Sequence, residues 1–126
     1  MTLILDRYIY SGIAFSIAKG AIGYEYARAP DVGLPRPDAV VFLDLPVDVA
    51  GGRDGFGGER YERTELQERV RGCFEEVRSR EGGGLGGGWW TVVDASKGID
   101  EVAEKVAEVA ERAVAWAGKN ELKRIE

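Results

Sequence analysis

The sequence predicts an α/β fold, in which a parallel sheet of three strands is flanked by helices. Three short apolar runs have the composition of strands that are buried on both faces. These runs occupy residues 2–5, 39–45 and 89–94. Each run is followed by a helical pattern, and that alternation is typical of parallel α/β sheets. The helical patterns occupy residues 11–19, 64–80 and 99–117.

The segment between the first helix and the second strand is predicted to be rigid. Gly20 and Gly23 end the first helical pattern, and a short helical segment follows at residues 24–28. Residues 29–38 contain three prolines, which fix φ and bias the residues before them towards extended backbone. A proline at the start of residues 46–52 suits the first turn of a short helix there.

The last two helices carry clear apolar stripes. The stripe of the helix at residues 64–80 consists of Leu66, Val70, Cys73, Phe74 and Val77. Thr64 and Gln67 in its first turn have the spacing of a capping box. The stripe of the final helix consists of Ile99, Val102, Val106, Val109, Ala113 and Ala117. We expect residues 1–117 to form the domain and the polar residues 118–126 to fray.

Two glycine-rich segments interrupt this pattern. Residues 53–63 contain three glycines among charged residues and are predicted to be a loop that can close. Residues 81–88 contain six glycines around Leu85, a composition typical of flexible linkers and here of an insertion. No Lys-Ser or Lys-Thr follows them, and a strand rather than a helix comes next, so they do not match a phosphate-binding loop.

The composition excludes several classes of function. The chain has no histidine, which removes histidine bases and histidine–metal sites, and Cys73 is its one cysteine, which excludes an intrachain disulfide. The net charge of −5 does not favour nucleic acid or an anionic membrane surface, and no apolar run approaches the roughly 20 residues of a membrane span. The first residues do not resemble a signal peptide. We therefore expect a cytoplasmic protein, with the nucleus and the mitochondrion as open alternatives.

Three polar clusters lie where ligand chemistry is expected. Asp6, Arg7 and Tyr8 follow the first run, at the sheet edge where ligands bind, and there an aspartate can hold the water shell of Mg²⁺ while an arginine binds phosphate. Residues 53–62 combine arginines and glycines, as lids over phosphates do. Residues 94–98 can present backbone groups to a base. Taken alone, the clusters also fit an ion-paired turn, a solvated loop and the start of a helix.

In combination and in order, these segments resemble the eukaryotic-type thymidylate kinase family. The matching patterns are DRYxxSGxAF at residues 6–15, APDxGLPxPD at residues 29–38, RxxFGxERYE at residues 53–62 and DASKxI at residues 94–99. Gln67 lies on the helix between the third pattern and the fourth. The resemblance covers residues 3–74 and resumes at Trp90, with the glycine-rich segment as an insertion.

The resemblance implies both a fold and an activity. The fold is that of a P-loop nucleoside monophosphate kinase, of which this chain would supply the C-terminal part. The activity is the transfer of the γ-phosphoryl group of ATP to dTMP, with Mg²⁺ as cofactor. The family forms homodimers through helices, and the first helix, with Ile13 and Ile17, is a candidate surface. Another nucleoside monophosphate kinase is an alternative, which the joint presence of Asp-Arg-Tyr and Glu-Arg-Tyr-Glu disfavours.

The resemblance also implies roles for individual residues. Asp6 and Arg7 would be the catalytic pair beside the phosphate of dTMP, and Asp6 would hold the metal through water. Substrate-binding positions would be Ser11, Gly12, Phe15, Tyr61 and Gln67. Positions in the lid or at the ATP site would be Arg53, Arg60, Ala95, Ser96 and Lys97. Gln67 would serve either the substrate pocket or the capping box.

The chain does not contain every part that the family's activity needs. No GxxxxGK[ST] pattern occurs in the 126 residues, and in the family that loop precedes the Asp-Arg-Tyr motif. Between Arg53 and Arg60 there is no basic residue, which matches the members whose catalytic arginine lies in the phosphate loop. We therefore expect an N-terminally truncated kinase that is inactive by itself, with a first strand that lacks neighbours. A non-catalytic fragment that binds a nucleotide or pairs with an intact subunit is the alternative.

Overall fold

The computed structural model describes residues 1–46, 60–82 and 88–126, and it describes the side chains of the third helix from Thr64 onward. The elements in chain order are α1 (Ile9–Ala18), α2 (Tyr24–Arg28), a 3₁₀ turn (Ala29–Asp31), β1 (Val40–Asp44), α3 (Arg60–Arg80), β2 (Trp90–Asp94) and α4 (Ile99–Ala117). The short helix predicted after β1, most of the predicted lid and the centre of the glycine-rich segment lie outside the described residues. Within them, no helix has the length and apolar character to cross a membrane.

β1 and β2 form a parallel pair with a continuous register. Val40 lies beside Trp90, and the pairing continues to Asp44 beside Asp94. Parallel neighbours need a crossover connection, and α3 lies within the connection between these two strands. The predicted α/β fold with parallel strands is confirmed, and both strands end at the same edge of the sheet.

The prediction of a third strand at residues 2–5 is wrong. The sheet of the described residues has two strands, and Leu3, Ile4 and Leu5 are 72%, 92% and 57% exposed. Branched apolar residues favour a strand, but a strand also needs a neighbour for its backbone hydrogen bonds and a surface for its side chains. β1 bonds to β2 on one side, and residues 2–5 do not pair with it on the other. Their strand-forming composition therefore finds no partner.

The core forms where α1 packs against α3. Ile13 of α1 and Val77 of α3 are 1% and 0% exposed. The other buried members of this core are Ile9, Tyr10, Ala14, Trp90 and Ile125. Burial of one large aliphatic side chain contributes about 1.5–3 kcal/mol, so this contact fixes α1 although no strand forms before it. Ile13 lies on the face of α1 that α3 covers, while the proposed dimer surface on the first helix stays a prediction.

α3 connects α1 to the sheet. Val70 and Val77 of its predicted stripe are buried. The half-buried members of the stripe are Leu66, Cys73 and Phe74. The ring centroid of Phe74 lies 4.8 Å from that of Phe42 on β1 and 6.3 Å from that of Phe15 on α1. Aromatic pairs at these separations add to the stabilisation that burial provides, so the apolar stripe holds three elements together.

The predicted capping box at Thr64 and Gln67 is wrong. α3 begins at Arg60, one turn before the predicted start. Only the first four N–H groups of a helix lack an intrahelical acceptor, and Thr64 and Gln67 lie beyond them. Residues 60–63 tolerate a helix, and neither glycine nor proline separates them from Thr64. Gln67 is exposed on α3.

The prediction that the C-terminal residues fray is also wrong. Arg124 forms an antiparallel bridge with Pro35, and Ile125 is 4% exposed within the main core. The N–H of Gly33 donates to the carbonyl of Ile125 at 2.8 Å. We call residues 123–125 the C-terminal strap. The tail is polar on average, but one buried isoleucine and a short stretch of backbone pairing hold it in place.

A buried carboxylate joins α2 to the end of α3. The Glu81 side chain is 7% exposed, and it accepts hydrogen bonds from the Tyr24 hydroxyl and from Nε of Arg28, the latter at 2.6 Å. Burial, followed by the hydrogen bond to Glu81, raises the pKa of the Tyr24 hydroxyl. The guanidinium of Arg80 lies 4.8 Å from the Tyr24 ring centroid. The C-terminal end of α3 is thereby fixed against the segment that leads into β1.

We expect the Ile13→Ala variant to lose about 2–5 kcal/mol of unfolding free energy, because it empties a closed site in the core. Ile99→Ala is the matched control, since Ile99 is 87% exposed at the start of α4, and its change should stay within about 0.5 kcal/mol. Urea denaturation followed by tryptophan fluorescence measures both. Equal losses in the two variants would contradict the assignment of the core to the contact between α1 and α3.

Candidate functional site

The two strands end together at a polar edge. Asp44 closes β1 and Asp94 closes β2, and the two residues are partners in the register. The N–H of Ala95 donates to the carbonyl of Asp44 at 2.9 Å, so the pairing extends one residue past the strands. Ligands bind at the carboxyl edge of the sheet in open α/β folds, and here that edge is tied directly to the turn after β2.

The Asp94 carboxylate organises the turn after β2. Its Oδ1 accepts hydrogen bonds from the N–H of Ser96 at 2.9 Å and from the Ser96 hydroxyl at 2.6 Å. These bonds favour the ionised form and lower the pKa of Asp94. Gly98 is the N-cap of α4, with extended backbone, and Lys97 before it is exposed. The predicted site residues from Ala95 to Lys97 therefore lie on an ordered turn at the sheet edge.

The predicted catalytic pair, Asp6 and Arg7, lies immediately before α1. Both residues are exposed. Among the described residues, Arg7 is the one non-glycine residue with a positive φ, +69°, which is uncommon for a residue that carries a Cβ. Its guanidinium carbon lies 5.3 Å from the ring centroid of Phe15 on α1, within the range of a cation–π contact. The structure thus brings two of the predicted site residues together.

The start of α1 offers an open surface near Arg7. Ser11 is half-buried, and its N–H donates to the carbonyl of Tyr8 at 3.1 Å. Gly12 is exposed, and a Cβ placed on it would have no heavy atom within 4 Å. The surface at Ser11 and Gly12 is therefore accessible to a ligand that Arg7 holds.

The predicted lid residues are only partly described. Arg53 lies outside the described residues. Arg60 and Tyr61 lie in the first turn of α3, while their side chains fall outside the described part of the chain. Gln67 is exposed on the second turn of the same helix. The roles of these four residues stay predictions.

Sequence reasoning missed an ion pair at the sheet edge. Arg71 of α3 donates to both carboxylate oxygens of Asp44, from Nε at 2.7 Å and from a terminal nitrogen at 2.8 Å. The pair lines an open groove of about 550 Å³. The other lining residues are Phe42, Pro46, Glu68, Gly72, Glu75 and Val92. An aspartate at the end of an apolar strand was the signal in the sequence, but its partner depends on how α3 packs.

Tyr8 is a second residue whose contact the sequence did not indicate. Its hydroxyl donates to the carbonyl of Pro35 at 3.0 Å. Tyr8 belongs to the Asp-Arg-Tyr motif, but that motif does not indicate a hydrogen-bond acceptor 27 residues away. The contact ties the residue after Arg7 to the connection that precedes β1.

The predicted residues form two groups that α3 links. One group lies at the start of α1, and the other lies on the turn after β2. Phe74 of α3 contacts Phe15 of the first group. Arg71 binds Asp44, whose carbonyl holds Ala95 of the second group. A change in the position of α3 would therefore change the positions of the residues in both groups.

The described side chains support electrostatic binding rather than nucleophilic chemistry. Histidine is absent from the sequence. Cys73 is half-buried, and burial raises the pKa of its thiol, so little thiolate forms near neutral pH. No group of three metal-binding side chains comes together in the described ranges. The exposed Arg7 guanidinium over the Phe15 ring is a group that can bind an anion electrostatically, in a protein of the α/β class.

Comparison with known proteins identifies the family. The family model for thymidylate kinase matches residues 1–106. The thymidylate kinase of Arabidopsis thaliana is 43% identical over 108 residues, which are 86% of this chain and 38% of that protein. The thymidylate kinase of Homo sapiens is 41% identical over 117 residues, which are 93% of this chain and 53% of that protein.

A solved structure supports the same assignment. Thymidylate kinase from Candida albicans matches with a TM-score of 0.76 and 31% identity, over 98% of this chain and 60% of that chain. This chain belongs to the thymidylate kinase family. It spans about half the length of the curated relatives that it matches. The family predicted from the ordered motifs is thereby confirmed.

We expect Ser96→Ala to raise the pKa of the Asp94 carboxyl towards its ordinary value, because the variant removes the hydroxyl donor. The folded pKa lies below the unfolded pKa, so the carboxylate stabilises the folded chain above the ordinary aspartate range. That contribution is lost as the pH falls through the folded pKa. An NMR titration of the side-chain carboxyl carbon measures the shift. Ser79→Ala, on the exposed surface of α3, is the control, and equal titrations of Asp94 in both variants would contradict this assignment.

Proposed function

We propose that this chain is part of an enzyme that transfers the γ-phosphoryl group of ATP to dTMP. Family membership supports the reaction. The observation that carries the proposal for this chain is the placement of Arg7 over Phe15, next to Asp6. An arginine binds a phosphate through two parallel hydrogen bonds, and an aromatic ring offers apolar surface to the rest of a nucleotide. The start of α1 is therefore the dTMP side of the proposed site.

Each residue at the start of α1 has a task in this proposal. Arg7 binds the phosphate of dTMP and neutralises charge that develops during transfer. Asp6 holds Mg²⁺ through its water shell, since an exposed carboxylate suits the oxygen ligands that this ion prefers. Mg²⁺ held there would supply positive charge next to the phosphates of ATP. Ser11 and Gly12 offer an accessible surface to the rest of the nucleotide.

The ATP side is assigned to the turn after β2 and to the lid. Ala95, Ser96 and Lys97 border the base in this proposal, and the hydrogen bonds between Asp94 and Ser96 support it because they hold the turn in one conformation. The remaining proposed contacts are Arg53, Arg60 and Tyr61 in the lid and Gln67 at the monophosphate. A lid over these groups would exclude water, which a kinase needs to avoid hydrolysing ATP.

We expect dTMP turnover from a chimera that joins these residues to the segment of human thymidylate kinase that they do not match. The chain contains no GxxxxGK[ST] loop, and such a loop supplies the backbone N–H groups that bind the β- and γ-phosphates. A coupled assay with dTMP, dUMP, AMP and CMP as acceptors measures the activity and its selectivity. Good turnover of another monophosphate with none of dTMP would overturn the substrate assignment.

We expect the 126 residues by themselves to bind dTMP more tightly than ATP–Mg²⁺ and to show no measurable turnover. Arg7→Ala should weaken dTMP binding by about tenfold or more, because hydrogen bonds to charged groups contribute about 1.5–3 kcal/mol. Arg112→Ala is the matched control, since Arg112 is exposed on α4. Calorimetry on material with a native near-UV tryptophan signal measures the affinities. Micromolar ATP affinity, or equal losses in the two variants, would contradict this assignment.

A second candidate function is a non-catalytic subunit that pairs with an intact thymidylate kinase. The exposure of Leu3, Ile4 and Leu5 favours it, because exposed apolar side chains bind partners. The edge of β1 that faces away from β2 favours it too, since within the described residues no strand pairs with that edge. A stable complex with the human enzyme in sedimentation, together with an inactive chimera, would support this alternative. A monomer that stays unchanged on mixing would exclude it.

A further inference from the structure

The backbone at Arg7 needs a restraint. Its φ of +69° lies in the left-handed region, which a residue with a Cβ keeps only when the surrounding structure holds it there. Arg7 is exposed, so close packing around its own side chain does not supply that restraint. The contact of its guanidinium with Phe15 fixes the far end of the side chain, and the backbone must be fixed by its neighbours.

Tyr8 is the neighbour that is anchored. It is the N-cap of α1, with extended backbone at φ −145° and ψ −156°. Its ring is half-buried and packs against the main core, which includes Ile125. Its hydroxyl donates to the carbonyl of Pro35 at 3.0 Å. The position of Tyr8 is therefore set at both ends of its side chain, by the core and by Pro35.

The acceptor of that hydrogen bond is itself held by the C-terminal strap. Pro35 bridges Arg124 in an antiparallel arrangement. The backbone hydrogen bonds on the two sides of this bridge join Ile125 to Gly33 and Leu34, at 2.8 and 2.9 Å, and Lys123 to Arg36, at 2.8 Å. The guanidinium of Arg124 adds a bond to the carbonyl of Gly33 at 2.9 Å. Because the backbone is paired on both sides of Pro35, its carbonyl is a fixed acceptor.

We propose that Tyr8 and the C-terminal strap are positioning elements that hold the Arg7 backbone in its left-handed conformation and so direct its guanidinium to the phosphate of a nucleoside monophosphate. The ligand part of this inference rests on the proposed function. The connection runs from Ile125 in the core, through the strap to Pro35, and from Pro35 through the Tyr8 hydroxyl to Arg7. The strap lies outside residues 1–106, which the family model matches.

Tyr8→Phe tests the hydroxyl without changing the ring that packs on the core. We expect the NMR three-bond coupling and the chemical shifts of Arg7 to move away from left-handed values. The dissociation constant for dTMP should rise by about threefold to tenfold, which is what one hydrogen bond contributes. Tyr26→Phe is the matched control, since Tyr26 is 73% exposed on α2, and it should leave both measurements unchanged. Unchanged Arg7 signals in Tyr8→Phe would overturn the proposal.

Ile125→Ala tests the strap, with Leu122→Ala as its control because Leu122 is 59% exposed just before the strap. We expect Ile125→Ala to produce the same change in the Arg7 signals, and the double variant with Tyr8→Phe to add little further change, since both act through Pro35. If the changes in the Arg7 signals of the two single variants add fully in the double variant, the two residues do not act through Pro35 in common. If the unaltered chain binds no dTMP, the proposed function fails, while the Arg7 signals still decide whether Tyr8 and the strap position this residue.

Discussion

The packing of α1 against α3 is the contact on which the rest of the structure depends. Ile13 and Val77 are almost completely buried there. Since residues 2–5 form no strand, α1 receives its position from α3 rather than from a sheet ahead of it. α3 in turn is held to the sheet by Phe74 against Phe42 and by Arg71 on Asp44. One helix therefore determines where the start of α1 lies relative to the turn after β2.

That arrangement suits the anionic ligands of the proposed function. The charged groups of the site lie at element ends, where backbone polarity and side-chain charge act together. Arg7 is exposed, and its ring contact with Phe15 directs the guanidinium without neutralising it. The Asp94 carboxylate accepts two hydrogen bonds from Ser96, two residues further along the chain. Its role is therefore to hold the conformation of the turn. Arg7 at the start of α1 is thus exposed beside a ring, whereas Asp94 at the end of β2 holds a turn in place.

Local patterns predicted most of the fold. The helices at residues 11–19, 64–80 and 99–117 follow from apolar spacing, and the observed bounds differ mainly at the start of α3. Residues 2–5 form no strand, because branched apolar residues favour extended backbone but a strand also needs a neighbouring strand to pair with. The ordered motifs predicted the family, because several uncommon patterns in one order are far more specific than any one of them. They did not predict the contacts of Tyr8 or Asp44.

By itself the sequence determined the α/β class, the helices, two parallel strands and the family, because local composition and the order of segments along the chain indicate each of them. The tertiary structure alone decided the exposure of residues 2–5, the left-handed backbone of Arg7 and the burial of Ile125. It also decided that Tyr8 and Asp44 each form a hydrogen bond with a residue 27 positions away. Arg124 likewise forms a hydrogen bond with Gly33, which lies 91 positions away in the chain. Such contacts depend on how whole elements pack, and no local spacing records that packing.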